Sequence, residues 1–184
     1  MVNQRFDPPS FDDPHQEAVF WRGVLVHHYA IVEFKISDLI IRTFFSADYQ
    51  HLPKKMSYPW SKRLKQLGHI LDAPGPLSAY SVQCRNLIGQ IGLIEKDRHL
   101  FVHGLMRMHE ASHEPVAHFE CYDAQNSCLN ENRYRLSEVR YIAQETGSAA
   151  EALSDLIDEM ISSTQLLPIP LGKHEARQRN VREF

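Results

Sequence analysis

From residue 24 to residue 52 no glycine or proline interrupts the chain. Over the same stretch and just before it, Trp21, Leu25, Tyr29, Val32, Ile36, Leu39 and Ile40 recur at helical spacing. Apolar residues three and four apart share one face of a helix, so this pattern predicts a long amphipathic helix from about Pro14 to Phe45. Asp13 suits its N-cap and Pro14 its first turn, where a missing N–H costs nothing. A helix of that length is usually one wall of a bundle, which points the chain toward a mainly α fold. His27 and His28 fall inside it and read as ordinary exposed or satisfied histidines.

The rest of the chain divides by the same criteria. Residues 1–13 read as an extended arm, with Asp7, Pro8, Pro9, Asp12 and Asp13 crowded together. Residues 46–57 form a polar loop. A short helix is predicted from about Pro59 to Leu71, with Trp60, Leu64, Leu67 and Ile70 inward. Asp72-Ala73-Pro74-Gly75-Pro76 breaks the chain. A third helix follows from about Leu77 through Tyr80, Cys84, Leu87, Ile88, Ile91 and Ile94 to His103, where Gly104 is expected in the left-handed position that ends many helices. The period then changes. Leu105 to His109, Pro115 to Tyr122 and Tyr134 to Leu136 predict a small antiparallel meander, inserted at about residues 104–136, with a polar loop from Asp123 to Asn132. On the middle strand Val116, His118, Glu120 and Tyr122 face one way and Ala117, Phe119 and Cys121 the other. Ser137 is expected to cap a last helix, with Gly147-Ser148 bending or restarting it, and Leu153, Leu156, Ile157, Met160 and Ile161 inward. The expected organisation is one domain over residues 14–164, a bundle of four to five helices, with a flexible tail over 165–184.

The chemistry concentrates at the end of the third helix, in Arg98-His99-Leu100-Phe101-Val102-His103-Gly104. Arginine carries a permanent charge in a fork that matches phosphate, and histidine exchanges protons near neutral pH. Those are the services RNA cleavage needs without a metal: a base for the ribose 2′-hydroxyl, an acid for the leaving 5′-oxygen, and a cation for the charged transition state. His103 suits the base or acid, Arg98 the phosphate clamp, and His99 a second proton-transfer or orienting role. Residues five apart diverge by about 140° around a helix, so Arg98 and His103 do not share a face, whereas His99 and His103 do. Convergence of Arg98 and His103 then needs a long reach, a distorted last turn, or a second copy of the chain.

In these residues, and in the helix order around them from about Phe20 to Ser163, the chain resembles the HEPN superfamily of helical domains, particularly its Abi-like branches. The resemblance rests on Arg98, the polar His99 beside it, His103 and the His-Gly ending. It implies a HEPN-like helical bundle and a metal-independent endoribonuclease, often a toxin of a toxin–antitoxin pair or a phage-defence effector. It also implies a homodimer whose two motifs face each other, RNA as substrate, and an antitoxin protein as a partner. Some members bind RNA or nucleotide without cutting, which keeps a catalytically silent dimeric module open as the alternative. His99 stands where Asn or Asp is commoner, which leaves the role of the polar position open.

Other constellations are weaker. His109, His113, His118, Cys121 and Cys128 offer zinc-binding atoms but in no compact zinc spacing, and His118 and Cys121 point to opposite faces, so a solvated histidine-rich hairpin is expected. No metal and no cofactor are expected. Arg85, Arg133, Arg135 and Arg140 read as surface charge. Net charge is -3, so no global basic field draws nucleic acid, and RNA binding has to come from a local patch or one built by two subunits. No DNA or membrane partner is expected. Three cysteines and a start without the apolar core of a signal peptide point to a reducing, cytoplasmic setting.

Overall fold

A computed structural model describes residues 8–123 and 127–167, with only the backbone described at 93–97 and 123. Four α-helices hold most of the chain: α1 (Pro14–Thr43), α2 (Trp60–Asp72), α3 (Ser81–His103) and α4 (Leu136–Ser163). A three-stranded antiparallel sheet, β1 (Leu105–His109), β2 (Val116–Asp123) and β3 (Cys128–Arg135), lies between α3 and α4 in the order β1-β2-β3. The fold is mainly α with a small meander after the third helix, as the periodicity predicts. No helix among the described residues is long and apolar enough to cross a membrane.

α1 starts where its cap chemistry places it. The Asp13 side chain accepts from the His15 N–H at 2.9 Å, with Pro14 in the first turn. Its buried stripe runs through Trp21, Leu25, Tyr29, Val32, Ile36, Leu39 and Ile40. α4 covers that stripe and runs parallel to it: Glu17 pairs with Arg140 at one end and Lys35 with Asp158 at 2.6 Å farther along. The α4 face that meets α1 carries small residues. Ala143, Gly147 and Ala150 are all buried, and the His28 ring lies so close that a Cβ on Gly147 would come within 2.8 Å of His28 Cε1.

α3 returns antiparallel to α4, with Tyr80 Oη 2.7 Å from Ser163 Oγ at the far end. At the near end Phe101 stacks with Phe119 of β2 and Tyr134 of β3, with ring centroids 4.7 and 5.1 Å apart, and so joins the sheet to the bundle. Ala117 and Phe119 face this core, and the opposite face of the sheet is open.

Five local expectations are corrected. Gly104 has φ -72° and ψ 145°, an extended residue rather than a left-handed one. It is needed for space: a Cβ there would collide with the Leu100 carbonyl oxygen and approach that of Glu120 to 3.4 Å. The expected loop over Asp123 to Asn132 is largely strand, because β3 pairs with β2 from Cys128 to Arg135. α4 is entered at Arg135, whose N–H donates to Glu138 at 2.6 Å; Ser137 instead donates to Glu114. Gly147 does not restart α4, which runs as one continuous helix through it. α3 itself begins at Ser81 after a 3-10 turn over Pro76–Tyr80. The inward placement of Ile94, the arm over 1–7 and the tail over 168–184 lie outside the described residues.

Candidate functional site

The last turns of α3 place the three motif side chains in two groups. His99 and His103, four apart, share an exposed face, and their rings lie 4.9 Å apart at a 54° tilt. Arg98 turns toward α1. Its guanidinium forms an ion pair with Glu33, and its Cζ sits 5.8 Å from the centroid of the Tyr29 ring. Leu100 and Phe101 between them are buried and anchor the helix end in the core. Among the described residues no hydrogen bond, ion pair or ring contact joins Arg98 to His103. The two histidines are therefore brought together in one chain and the arginine is not, as the divergence around a helix requires.

A fourth residue holds this end of the helix, and sequence reasoning missed it. Arg22 on α1 donates from Nε to the Phe101 carbonyl at 2.6 Å, and from Nη2 to the carbonyls of Gly104 at 2.9 Å and Val102 at 3.3 Å. The last carbonyls of an α-helix have no partner within the helix and carry partial negative charge, so one guanidinium answers both deficits. Burial pushes the Arg22 pKa below its ordinary value. Arg22 also lies 5.9 Å from the centroid of the Phe119 ring. Nothing near residue 22 in the sequence announces carbonyls 79 to 82 positions away. The one available signal was an arginine on the flank of an apolar stripe.

The other polar groups sort into structural roles. Arg85 clamps α2, donating to Asp72 at 2.7 Å and to the Gly68 carbonyl at 3.1 Å. Arg140 pairs with Glu17. His27 is exposed, while His28 is half-buried against Gly147. Burial first, and the neighbouring His27 second, lower the His28 pKa, against a smaller upward pull from Glu151 and the Val24 carbonyl. Cys84 is fully buried and its thiol is pushed up to about 11, which makes it an inert core residue. Of the five histidines and cysteines of the hairpin, His109 and His118 come together, with ring centroids 5.7 Å apart, while Cys121 packs toward the core on the opposite face of β2 from His118 and Cys128 is exposed. His118 is also grouped with Glu120 and Glu131. A cavity of about 360 Å³, lined in part by Lys55, Lys62, Lys65 and His69, lies beside α2 and shares no residue with the α3 motif.

An exposed histidine pair beside an arginine can exchange protons and hold phosphate. In a single chain the histidines are presented and the arginine is engaged. Comparison with known protein families, with curated proteins and with solved structures finds no match to this chain.

Proposed function

We propose that the chain is a HEPN-like, metal-independent endoribonuclease that works as a homodimer, in the setting of a toxin or phage-defence effector. The observation that carries this reading is the His99–His103 pair, exposed with rings 4.9 Å apart on the last turn of α3, next in sequence to Arg98. The mainly helical bundle with a long α1 against α3 agrees with it.

In this reading one imidazole takes the proton of a ribose 2′-hydroxyl, and the 2′-oxygen attacks the adjacent phosphorus. The bond to the 5′-oxygen breaks as a second, protonated imidazole gives that oxygen a proton. The products are a 2′,3′-cyclic phosphate and a 5′-hydroxyl. Arg98 steadies the extra charge on the phosphorus oxygens by bidentate donation. His103 is the principal proton-transfer group, and His99 orients or supplies the second. The Arg98 that meets a given His103 comes from the second copy, because the two diverge by about 140° on one helix.

The test is incubation of the purified protein with mixed RNA in EDTA, beside His103→Ala and Arg98→Ala, with product ends analysed. Cleavage by wild type alone, leaving cyclic phosphate ends, is expected. Equal cleavage by all three proteins, or none at high concentration, overturns the assignment.

One observation favours a second reading, a catalytically silent dimeric module that binds RNA, nucleotide or a protein partner. Arg98 is already neutralised by Glu33. A side chain committed to an ion pair is a structural element first, and in that reading His103→Ala alters binding or stability while no RNA is cut.

A further inference from the structure

The open face of the sheet gathers donors that the sequence scatters over thirteen positions. His118 and Glu120 are two apart on β2 and so project to one face. Glu131 lies directly opposite Glu120 in the β2–β3 register and joins them. One donor atom from each of the three lies within 4.8 Å of the others. His118 is only 6% exposed, unusual for a histidine on a face open to water, and its Nε2 is 3.1 Å from Glu131 Oε2. β1 adds His109 on the same side, its ring centroid 5.7 Å from that of His118.

We propose that this face binds a divalent cation of the zinc class, ligated by His118, Glu120 and Glu131, with His109 as the fourth donor. Imidazole nitrogen and carboxylate oxygen bind Zn²⁺ at about 2.0–2.2 Å, so two donors on a tetrahedral site stand about 3.4 Å apart. The donor atoms all lie within 4.8 Å of one another, so closing to that spacing asks for at most about 1.4 Å of movement. Side-chain rotation supplies this at Glu131, which is more than half exposed, while His118 stays fixed by its burial. Two cations compete for these groups: Arg133, which lies opposite His118 in the β2–β3 register, and Arg107, whose guanidinium pairs with Glu120. Arg107 is half exposed and free to swing into water when a cation of higher charge density takes its place.

The arrangement also explains something ion pairing alone does not. Arg107 with Glu120 and His118 with Glu131 would serve as well if His118 were exposed. A buried imidazole flanked by two carboxylates and a second imidazole is a donor set held in advance. The cation would clip β1, β2 and β3 together, and β1 follows Gly104 directly, so the clip would fix the sheet to the end of α3. This site is separate from His99 and His103, and the proposal does not rest on RNA cleavage.

The test uses the full chain, stripped with EDTA and dialysed, then titrated with Zn²⁺ against a chromophoric chelator and with Co²⁺ for its visible spectrum. One Zn²⁺ per chain and the intense d–d bands of four-coordinate Co²⁺ are expected. Glu131→Gln, an exposed and conservative change, should weaken binding at least about tenfold, since even outer-shell changes cost that much. The His99→Ala/His103→Ala double variant should bind as wild type does. The proposal is overturned by absence of binding at micromolar Zn²⁺, by unchanged affinity in Glu131→Gln, or by loss of the site in the double histidine variant.

Discussion

The Arg98 guanidinium closes an ion pair with Glu33 across the α1–α3 contact, about 140° around the helix from His103. In the ribonuclease reading, a phosphate that binds Arg98 has to displace the Glu33 carboxylate. Glu33→Gln removes the competing charge while keeping the shape of the side chain. Placed in a His103→Ala background, where RNA is bound and not cut, Glu33→Gln should tighten RNA binding by about 1.5-fold to fivefold, the range expected for one partly exposed charge pair. Fluorescence anisotropy at fixed salt reads this directly. Unchanged or weaker binding would mean that Arg98 does not touch phosphate.

Arg22 makes a stronger claim on stability than any surface pair, because it answers three backbone carbonyls in a partly buried place. Arg22→Met keeps much of the stem and removes every donor. The carbonyls of Phe101, Val102 and Gly104 then lose their protein partner, and a loss of about 2–4 kcal/mol is expected. Arg22→Lys should recover part of it, since an ammonium can reach one or two carbonyls but lacks the planar fork. Urea unfolding of the three proteins measures the order. An Arg22→Met protein as stable as wild type would show that water replaces the guanidinium at no cost.

Periodicity made the helices legible. Trp21, Leu25, Tyr29, Val32, Ile36 and Leu39 all lie on the buried face of α1, as their spacing predicts. What stayed hidden was set by tertiary contact or lacked apolar alternation. β3 reads Cys128-Leu129-Asn130-Glu131-Asn132-Arg133-Tyr134-Arg135, of which only Tyr134 is buried, so the pattern that marks a half-buried strand is missing. Gly104 was legible as a helix end, but its reason is the approach of the Leu100 carbonyl and the neighbouring strand rather than a left-handed backbone. The pairing of His99 with His103 followed from their spacing of four. The partners of Arg98 and the role of Arg22 did not, because Glu33, Tyr29 and the α3 carbonyls come from distant parts of the chain.

The closeness of α1 and α4 at His28 and Gly147 predicts a non-additive pair. Gly147→Ala gains helix propensity of about 1 kcal/mol but drives a methyl to 2.8 Å from the His28 ring. Overpacking of this kind costs about 1–3 kcal/mol, so the net change should be neutral to destabilising by up to about 2 kcal/mol. With His28→Ala already in place the clash is gone, and the same Gly147→Ala change should stabilise. A double-mutant cycle by denaturant unfolding gives the coupling. Equal effects of Gly147→Ala in both backgrounds would show that the two helices separate without cost.

His28 also predicts how stability depends on pH. Its folded pKa lies below the ordinary value of 6.5, chiefly through burial, while the unfolded chain keeps that ordinary value. At pH 7.5 the imidazole is neutral in both states and costs nothing. As pH falls through 6.5 the unfolded chain takes up the proton first, so folding loses stability until the pH passes below the folded pKa, where the loss levels off. Glu114 acts in the same direction at lower pH. Its carboxyl is held below the usual range, first by the Ser137 N–H and then by the Ser137 hydroxyl, so the stability it supplies is present above 4.5 and is lost as pH falls through its folded pKa. Urea midpoints taken at pH 7.5 and 5.5 should therefore fall for wild type and fall less for His28→Gln, which has no charge to gain. An equal drop in both proteins would place the titrating group elsewhere among the histidines.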